Sequence, residues 1–425
     1  MNEWTNNTLG GISSIITGPF GSQLHAYEYV ESGIPVIMPQ NIEDRAFSTE
    51  KVAYVDNETA NRLRRYATKE YDIVYSRRGD IEKHAFIVKN QNGALCGTGC
   101  FRIRIINKSI FPMFLSFYLN RPETKKWLVQ HAVGSNMPNL NAEILAEVPI
   151  AYPKLSTQQA ISGILESIDR KIALNNRINA ELEKTAKLLY DYWFVQFDFP
   201  NAEGKPYRAS GGEMVYNEQL KREIPKGWRI DKLGSKLNLQ RGVEPGSNAY
   251  SEAKTDTQSV PFIRVSDLGK NPTLYISEQA ATGIHCIPSD VLVSFDGTIG
   301  KMAVAMEGAY SSGVRKIFPK DSDYSSGLIY WIFQSEEIQK TISKYAVGSN
   351  ILHAAGAIEH LMFPYHSETT TTFIRKIEPI YKQIIANHQQ NKELTTLRDF
   401  LLPLLMNGQV TVDTCTTIER KGELS

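Results

Sequence analysis

The sequence predicts a mixed α/β fold: two globular modules separated by an antiparallel coiled coil of two long helices, arranged as a pseudo-two-fold internal repeat. Three observations predict it. Residues 156–199 carry a narrow apolar seam typical of a long coiled-coil helix. A matching seam returns in residues 373–407. Short blocks of sequence ahead of each helix also recur, in the same order.

The first seam indicates one helix from Ser156 to Phe199, with apolar residues about 3.5 positions apart. Ser156 followed by Gln159 predicts a capping box at its start. Two asparagines interrupt the seam, where buried polar groups hold register at some cost in stability. The seam residues are Leu165, Ile168, Ile172, Asn175, Asn179, Leu182, Ala186, Leu189 and Trp193.

The second seam repeats the first, with Asn387 and Asn391 each 212 residues after Asn175 and Asn179. These four asparagines are therefore the predicted register residues. Pro379 and Pro403 should kink or end this helix locally. Its seam residues are Ile377, Ile380, Ile384, Asn387, Asn391, Leu394, Arg398, Leu401 and Leu405.

The modules ahead of the helices have diverged more but keep their order. GIPVIMPQNI (33–42) resembles SVPFIRVSDL (259–268), and DIVYSRRGDIEKHAFI (72–87) resembles DVLVSFDGTIGKMAVA (290–305), with Gly79 opposite Gly297 as turn formers. AVGSN occurs at 132–136 and 346–350. A single helical piece is expected at Phe111–Ala132. The predicted divisions are a first module 1–153, a central helical region 154–199, a linker 200–223, a second module 224–366, a C-terminal helical region 367–410 and a tail 411–425.

Composition narrows the functional classes. The 425 residues carry a net charge of +1, so any nucleic-acid-binding face must be local. No apolar run approaches the roughly 20 residues of a membrane span, and the start lacks signal-peptide architecture. Four scattered cysteines form no disulfide framework. We therefore expect a cytoplasmic protein.

Two modules joined by a pair of long helices are suited to binding two sites a fixed distance apart. Some 30 to 35 helical residues would hold the modules roughly 50 Å apart, and DNA presents major-groove half-sites about 34 Å apart per turn. A bipartite DNA site fits this arrangement. The alternative is a structural spacer between unrelated modules.

The central helix and the segment after it carry a family resemblance. ALNNRINAELEKTAKLLYDYWFVQFDFP (173–200) and SGGEMVYNEQLKREIPKGW (210–228) resemble the specificity (S) subunit of type I restriction–modification enzymes. The resemblance implies two target-recognition domains on double-stranded DNA. It also implies two methyltransferase (modification) subunits that use S-adenosylmethionine on adenine, and restriction/translocase subunits that use ATP and Mg. A stand-alone DNA-binding adaptor and the specificity subunit of a two-subunit restriction enzyme remain alternatives.

Catalytic signatures are missing from the sequence. The Gly-rich Leu95–Phe101 resembles a methyltransferase cofactor loop, but a strand pattern follows it where a helix should open. The sequence contains no Pro-Pro dipeptide, so the Asn/Asp-Pro-Pro-aromatic motif that binds a flipped adenine is missing. Gly297–Lys301 is too short for a P-loop. Cys96 and Cys100 lack further ligands at zinc spacing. We expect no catalytic residue, metal or cofactor in this chain, and base flipping in the partner.

Side chains able to read bases or phosphates cluster in the loops of both modules. Arg77–Arg78 faces Phe295–Asp296 in the repeat, which predicts an asymmetric bipartite target. The aromatic end of the central helix, at Tyr190, Trp193 and Phe194, is the predicted partner dock. The DNA-binding candidates are Ser22, Gln23, Gln40, Asn41, Arg77, Arg78, Lys83, His84, Asn136 and Asn139 in the first module, and Gln240, Arg241, Arg264, Ser266, Lys301, Asn350 and His353 in the second.

Overall fold

A computed structural model describes residues 4–134, 138–252, 254, 259–348 and 352–412. The chain divides into two compact units. One comprises the described residues of Met1–Arg170 and Leu394–Ser425, and the other comprises those of Lys171–Glu393. Each long helix therefore contributes residues to both units. The domain boundaries drawn from the sequence divide the chain differently and stay a prediction.

The first unit is built on two small sheets covered by short helices. One sheet has the order β2-β9-β6-β7, the other has the order β3-β5-β4-β8, and β1 pairs with β10. The strands are β1 (Thr5–Thr8), β2 (Ser13–Thr17), β3 (Tyr29–Val30), β4 (Ile34–Ile37), β5 (Ala53–Val55), β6 (Ile73–Ser76), β7 (His84–Phe86), β8 (Leu95–Cys96), β9 (Cys100–Ile105) and β10 (Pro149–Tyr152). The helices are α1 (Leu9–Ile12), α2 (Asn57–Arg62), α3 (Pro112–Leu119), α4 (Pro122–His131), α5 (Ala142–Ala146) and the first part of α6 (Leu155–Tyr190).

The second unit repeats this plan after a hairpin of β11 and β12. The sheets have the orders β14-β20-β17-β18 and β16-β15-β19, and β13 pairs with β21. The strands are β11 (Met214–Asn217), β12 (Arg222–Pro225), β13 (Arg229–Lys232), β14 (Leu237–Arg241), β15 (Ser259–Ile263), β16 (Leu274–Ser277), β17 (Val291–Ser294), β18 (Met302–Ala303), β19 (Ala309–Tyr310), β20 (Val314–Pro319) and β21 (Met362–Tyr365). The helices are α7 (Leu233–Lys236), α8 (Glu278–Ala281), α9 (Ser326–Gln334), α10 (Glu336–Lys344), the second part of α6 and the first part of α11 (Ser367–Met406), whose last part belongs to the first unit.

The predicted internal repeat is confirmed by the topology. Each strand of the sheet β2-β9-β6-β7 has a counterpart in β14-β20-β17-β18, with the same antiparallel pairings. The parallel pair β4 and β8 corresponds to β15 and β19. Two sequences that have diverged this far keep one topology because the inward-facing strand residues stay apolar.

The asparagines pair between the two long helices inside the second unit. The Asn175 amide donates to Asn391 Oδ1 at 2.9 Å, and the Asn387 amide donates to Asn179 Oδ1 at 2.7 Å. The later residue on α6, Asn179, pairs with the earlier residue on α11, Asn387. The two segments are therefore antiparallel. Asn175, Asn179 and Asn387 are buried, as a seam position requires. The predicted antiparallel pairing is thereby confirmed.

The predicted start of the central helix is wrong. The helix begins at Leu155, so Ser156 lies inside its first turn and cannot act as the N-cap. Gln158 holds this end instead. Its side-chain oxygen accepts from the Phe111 backbone N–H at 2.8 Å, and its amide donates to the Ser109 carbonyl at 2.8 Å. A contact distant in sequence has replaced the local cap.

The end of the same helix also differs from the prediction. Regular helix ends at Tyr190, and a π-helical turn follows at Asp191–Val195. Phe197 then takes a left-handed conformation with φ 61°, which is costly for a bulky residue. Its ring is buried with its centroid 5.4 Å from that of Trp228. Burial of the aromatic side chains thus overrides continuation of the helix to Phe199.

The three aromatic side chains predicted as a partner dock are not exposed. Tyr190, Trp193 and Phe194 are all buried in the core of the second unit. Phe194 lies 4.9 Å from the ring centroids of both Phe363 and Phe373. The prediction that these three side chains present a dock is therefore wrong, because they pack against this chain's own residues.

Proline positions account for two further corrections. The expected helix Phe111–Ala132 is split into α3 and α4, since Pro122 holds Arg121 in an extended conformation with φ −64° and ψ 144°. Pro379 and Pro403, in contrast, do not end α11, which runs unbroken from Ser367 to Met406. Across the described residues, no helix is long and apolar enough to cross a bilayer.

Candidate nucleic-acid interface

Loops from one end of the first sheet meet in the first unit. The Gly18 N–H donates to the Cys100 carbonyl at 2.9 Å, and the Arg77 N–H donates to the Gly99 carbonyl at 2.8 Å. These bonds join the chain leaving β2, the chain leaving β6 and the turn entering β9. We call the described residues of these segments the first loop surface: Gly18–Gln23, Arg77–Lys83, Gly97–Gly99 and residues 133–139, of which 135–137 lie outside the described residues.

Glycine permits this close approach. A Cβ on Gly18 would lie 2.1 Å from the Gly97 carbonyl oxygen, which no real side chain tolerates. The Thr98 hydroxyl donates to the Pro19 carbonyl at 2.9 Å and ties the same two loops. Gly79 has φ 76° and forms the turn that we predicted for it. Gly242, the counterpart of Gly18, also follows the first strand of its sheet.

Arg77 and Arg78 lie together on the first loop surface. Arg77 is half-buried, and its Nε donates to the Leu140 carbonyl at 3.2 Å. Arg78 is exposed, and its backbone forms an antiparallel bridge with Asn139. The loop thus holds one anchored guanidinium beside one free to reach outward.

Further predicted residues adjoin this pair. Ser22 and Gln23 are exposed, although the Gln23 side-chain oxygen already accepts from the Tyr66 hydroxyl at 2.7 Å. Lys83 is exposed and pairs with Asp80 at 2.8 Å, a hydrogen bond that raises the pKa of the ammonium group. Gln40 is exposed on a 3-10 turn that reaches Gly99, where a Cβ would lie 3.2 Å from Pro39 Cγ.

Two predicted DNA contacts are wrong because the side chains are buried. His84 is fully buried, with its Nε2 2.9 Å from the Ser116 hydroxyl and its ring stacked on Tyr75. Burial lowers the pKa of His84 to about 3. Asn41 is 1% exposed, and its Oδ1 accepts from the Met38 N–H at 3.2 Å. Both residues stabilise the loop architecture instead of reaching outward.

The second unit assembles the same loops from different side chains. The Gly242 N–H donates to the Val314 carbonyl at 3.2 Å, and the Phe295 N–H donates to the Gly313 carbonyl at 2.9 Å. These bonds match those of Gly18 and Arg77 in the first unit. The second loop surface comprises Arg241–Glu244, Phe295–Lys301, Ser311–Gly313 and residues 347–353, of which 349–351 lie outside the described residues.

The polar groups of this surface are paired with one another. Arg241 Nε donates to the Ser312 carbonyl at 3.2 Å, and the Ser312 hydroxyl donates to the Glu244 carboxylate at 2.6 Å. His353 Nδ1 lies 2.7 Å from Asp296 Oδ1. Since Asp296 stands where the repeat has Arg78, the two surfaces differ in charge at matching places. The predicted DNA contacts contain no acidic residue, so Asp296 is not among them.

The turn at Val265–Asp267 adjoins this surface and matches the turn that holds Gln40. Asp267 accepts from the Arg264 backbone N–H at 3.0 Å and from Arg264 Nε at 2.9 Å, and the side-chain bond raises the pKa of Arg264. Ser266 is exposed, and its carbonyl accepts from the Lys301 ammonium at 3.4 Å. In this turn, Asp267 therefore accepts the backbone hydrogen bond that Asn41 accepts in the first unit.

Of the remaining predicted DNA contacts, one is described by the structure and two are not. Gln240 is half-buried, and its side-chain oxygen accepts from the Tyr310 hydroxyl at 3.0 Å, which leaves its amide free to donate. Asn136 and Asn350 lie outside the described residues. Besides Gln240, twelve candidates are thus exposed or half-buried on the two loop surfaces or adjoining turns: Ser22, Gln23, Gln40, Arg77, Arg78, Lys83, Asn139, Arg241, Arg264, Ser266, Lys301 and His353.

The Gly-rich Leu95–Phe101 segment is a strand-to-strand turn. Strand β9 follows it directly, as the sequence alternation predicted. A Cβ on Gly97 would meet Met38 Sδ at 2.5 Å and the Ile37 carbonyl oxygen at 2.8 Å, so the turn is packed against its neighbours. Within the described residues, no group of three or more His, Cys, Asp or Glu side chains is placed to hold a metal.

Comparison with known proteins gives these loops a family context. Residues 1–184 match the family model described as the type I restriction modification DNA specificity domain. The MjaIX specificity subunit of Methanocaldococcus jannaschii, a type I restriction enzyme subunit, is 26% identical over 97% of this chain and 94% of that protein. The chain is thus similar over nearly its whole length to a protein described as a type I specificity subunit. The HindI specificity subunit of Haemophilus influenzae is 23% identical over 96% of this chain and all of its own length (100%).

A solved structure shares the fold of this chain. The type I restriction–modification S subunit from M. genitalium superimposes with a TM-score of 0.55, covering 95% of this chain and 96% of that one. Its sequence identity is 13%, so the likeness concerns the fold alone. The two-domain α/β architecture with long helices is thus shared with that solved S subunit.

Proposed function

We propose that this chain is the sequence-specific DNA-binding subunit of a type I restriction–modification complex. Each recognition domain reads one half of a bipartite site through its loop surface. The observation that carries the proposal is the pair of matching loop surfaces, one in each unit, built on equivalent strand ends. Loops on a rigid sheet suit base readout, because the sheet fixes their positions while their side chains vary.

The two half-sites should differ in sequence. Arg77 and Arg78 on the first surface are replaced by Phe295 and Asp296 on the second. Arginine reads guanine or binds phosphate, whereas a carboxylate repels phosphate and accepts hydrogen bonds from amino groups. Equivalent backbones with such different side chains support an asymmetric target.

The coiled coil sets the distance between the half-sites in this proposal. The two asparagine pairs favour one register, because any shift would leave buried amides without partners. A fixed register fixes the length of chain between the recognition domains. The spacer between the half-sites is then a property of this chain.

The methyltransferase subunits dock on the outer face of α6 and its π-helical turn rather than on the aromatic end. Five exposed apolar side chains fall on one face of this segment: Leu174, Ile178, Leu188, Tyr192 and Val195. An exposed apolar stripe of this kind marks a protein contact. Replacing Leu174 and Leu188 by lysine should abolish co-purification with the modification subunits. The same change at Leu155, which is 41% exposed outside the stripe, should not. Retained co-purification of the double variant would remove the stripe as the dock.

Chemistry belongs to the partner subunits in this scheme. We propose that S-adenosylmethionine, ATP and Mg bind in the modification and restriction subunits, and that the complex works in the cytoplasm. The chain itself then acts as a non-catalytic adaptor between DNA and enzyme.

Methylated-adenine sequencing tests the proposal. Cells carrying the modification subunits are compared with and without this chain. A bipartite methylated motif should appear only when the chain is present. An unchanged methylation pattern would refute the proposed function.

A further inference from the structure

The second loop surface holds an exposed histidine whose orientation is set by a carboxylate. His353 is exposed, with 57% of its side chain accessible, while the side chain of Asp296 is only 19% accessible. His353 Nδ1 lies 2.7 Å from Asp296 Oδ1. The backbones of the same two residues form an antiparallel bridge, and His353 also bridges Val347. Side chain and main chain therefore fix the ring together.

The carboxylate decides which ring nitrogen carries the proton. An ionised carboxylate only accepts hydrogen bonds, so Nδ1 must be the donor. The guanidinium of Arg315 lies near enough to Asp296 to interact with it electrostatically. In the neutral ring, Nε2 is then left as a hydrogen-bond acceptor on the exposed edge.

The matching place in the first unit has the opposite character. Arg78 stands at the position of Asp296, and Asn139 makes the bridge that His353 makes. Arginine can only donate hydrogen bonds. At the same backbone bridge, the first surface thus presents an arginine that only donates, and the second presents a carboxylate and the histidine that it orients.

From this geometry, and resting on the proposed function, we propose that Asp296 is a positioning residue that makes His353 Nε2 an acceptor for a base amino group in the second half-site. In the major groove the exocyclic amino groups are N6 of adenine and N4 of cytosine. The second half-site therefore contains an adenine or cytosine at the base that faces His353. Phosphate and the guanine O6/N7 edge are poor partners, because they are themselves acceptors.

The pair predicts a change of base preference rather than a loss of binding. In Asp296→Asn, the new amide can donate to Nδ1, which allows the proton to move to Nε2. The ring edge then donates, and the position should also admit guanine or thymine. We expect the preference for an amino-bearing base at that one position to fall about tenfold.

Motif sequencing with the full methyltransferase complex tests this inference. Asp296→Asn and His353→Ala should relax the same single position in one half-site and leave the other half-site unchanged. An intact first half-site also shows that the variant complex is folded and bound to DNA. Glu278→Gln is the matched control, since Glu278 pairs at 2.8 Å with another histidine of the same unit, the half-buried His285.

The outcomes separate the two proposals. If Asp296→Asn keeps a strict motif while Arg77→Ala/Arg78→Ala relaxes the other half-site, the positioning role is wrong and the proposed function stands. The positioning role is also wrong if Glu278→Gln relaxes the motif as Asp296→Asn does. If removal of the whole chain leaves methylation unchanged, the proposed function fails and the inference fails with it.

Discussion

Asn175 donates its amide to Asn391 at 2.9 Å, and the internal repeat exchanges this pair for Asn387 and Asn179 at 2.7 Å. Both bonds lie in the seam between α6 and α11. A buried amide bond contributes little net stability, but a buried amide without its partner costs about 1–3 kcal/mol. The asparagine pairs therefore serve mainly to fix the register of α6 against α11.

A double-mutant cycle separates stability from register. We expect Asn387→Leu alone to destabilise the chain by about 1–3 kcal/mol, because Asn179 Oδ1 loses its donor. Adding Asn179→Leu should recover most of that loss, since two leucines suit a seam. Urea unfolding measures the energies. A double variant that is less stable than both single variants would contradict a role in register.

Asp169 should be the stability centre of the first unit. Its carboxylate accepts from Arg45 at 2.5 Å and from Arg398 at 3.0 Å, and Arg45 lies 3.4 Å from the centre of the Phe117 ring. Burial lowers the pKa of Arg45, and Asp169 opposes that shift. Asp169→Asn removes the carboxylate that these two largely buried cations share, and it should cost about 2–4 kcal/mol.

The neighbouring Asp399 supplies the control for this prediction. Asp399 also pairs with Arg398 at 3.0 Å, but its side chain is 59% exposed. Asp399→Asn should change the free energy of unfolding by less than about 0.5 kcal/mol. Equal effects of the two substitutions would show that burial does not set the value of Asp169.

Periodic features could be predicted from the sequence, whereas contacts distant in sequence could not. The seam asparagines were visible because a helix repeats its faces along a few residues. Arg398 in the second seam looked like an interruption. Its partner Asp169 lies 229 residues away in sequence, so only the folded chain reveals why the seam tolerates a charge there.

In the candidate site, too, some features could be predicted from the sequence and others could not. The loop surfaces followed from strand ends and the repeat, and Arg77 and Arg78 lie where we expected them. His84 and Asn41 are polar residues in the same stretches, yet they face inward because Ser116 and Met38 offer buried partners. Polarity alone does not tell a loop contact from a buried anchor.

His84 should make the first unit sensitive to acid. Its folded-state pKa of about 3 lies below the ordinary value of about 6.5, so protons bind the unfolded chain preferentially. The stability from neutral His84 is complete above about pH 6.5 and falls as the pH drops towards 3, by at most about 1.4 kcal/mol per pH unit. His84→Met, which copies Met302 of the repeat, should remove this part of the pH dependence.

Urea unfolding at pH 7 and pH 4 measures the effect. The His84→Met variant should lose up to about 3 kcal/mol less stability across this interval than the parent chain. His131→Gln, at an exposed histidine of the same unit, should behave like the parent. Parallel pH curves for the parent and His84→Met would contradict the prediction.

Arg77 and Arg78 should determine one half-site of the methylated motif. Replacing both by alanine removes guanidinium donors from the first loop surface and should cost about 1–3 kcal/mol for each base that an arginine reads. If the two arginines bind phosphate, affinity should fall uniformly and the salt dependence should weaken. Methylation sequencing and DNA binding at two salt concentrations distinguish these cases. Arg170→Ala, on an exposed helix face, is a control for the loss of an arginine outside the loop surface.

The spacing between half-sites should follow the length of the coiled coil. The division between the compact units falls after Arg170 and after Glu393, so seven residues inserted at both points leave each unit's sequence intact. One heptad adds about 10 Å and turns the helix by only about 20° relative to a perfect repeat. The spacer of the methylated motif should lengthen by about three base pairs, with both half-sites unchanged. Insertion in one helix alone should break the asparagine pairs and abolish the motif. A spacer that stays constant after the paired insertion would show that the coiled coil does not set the distance.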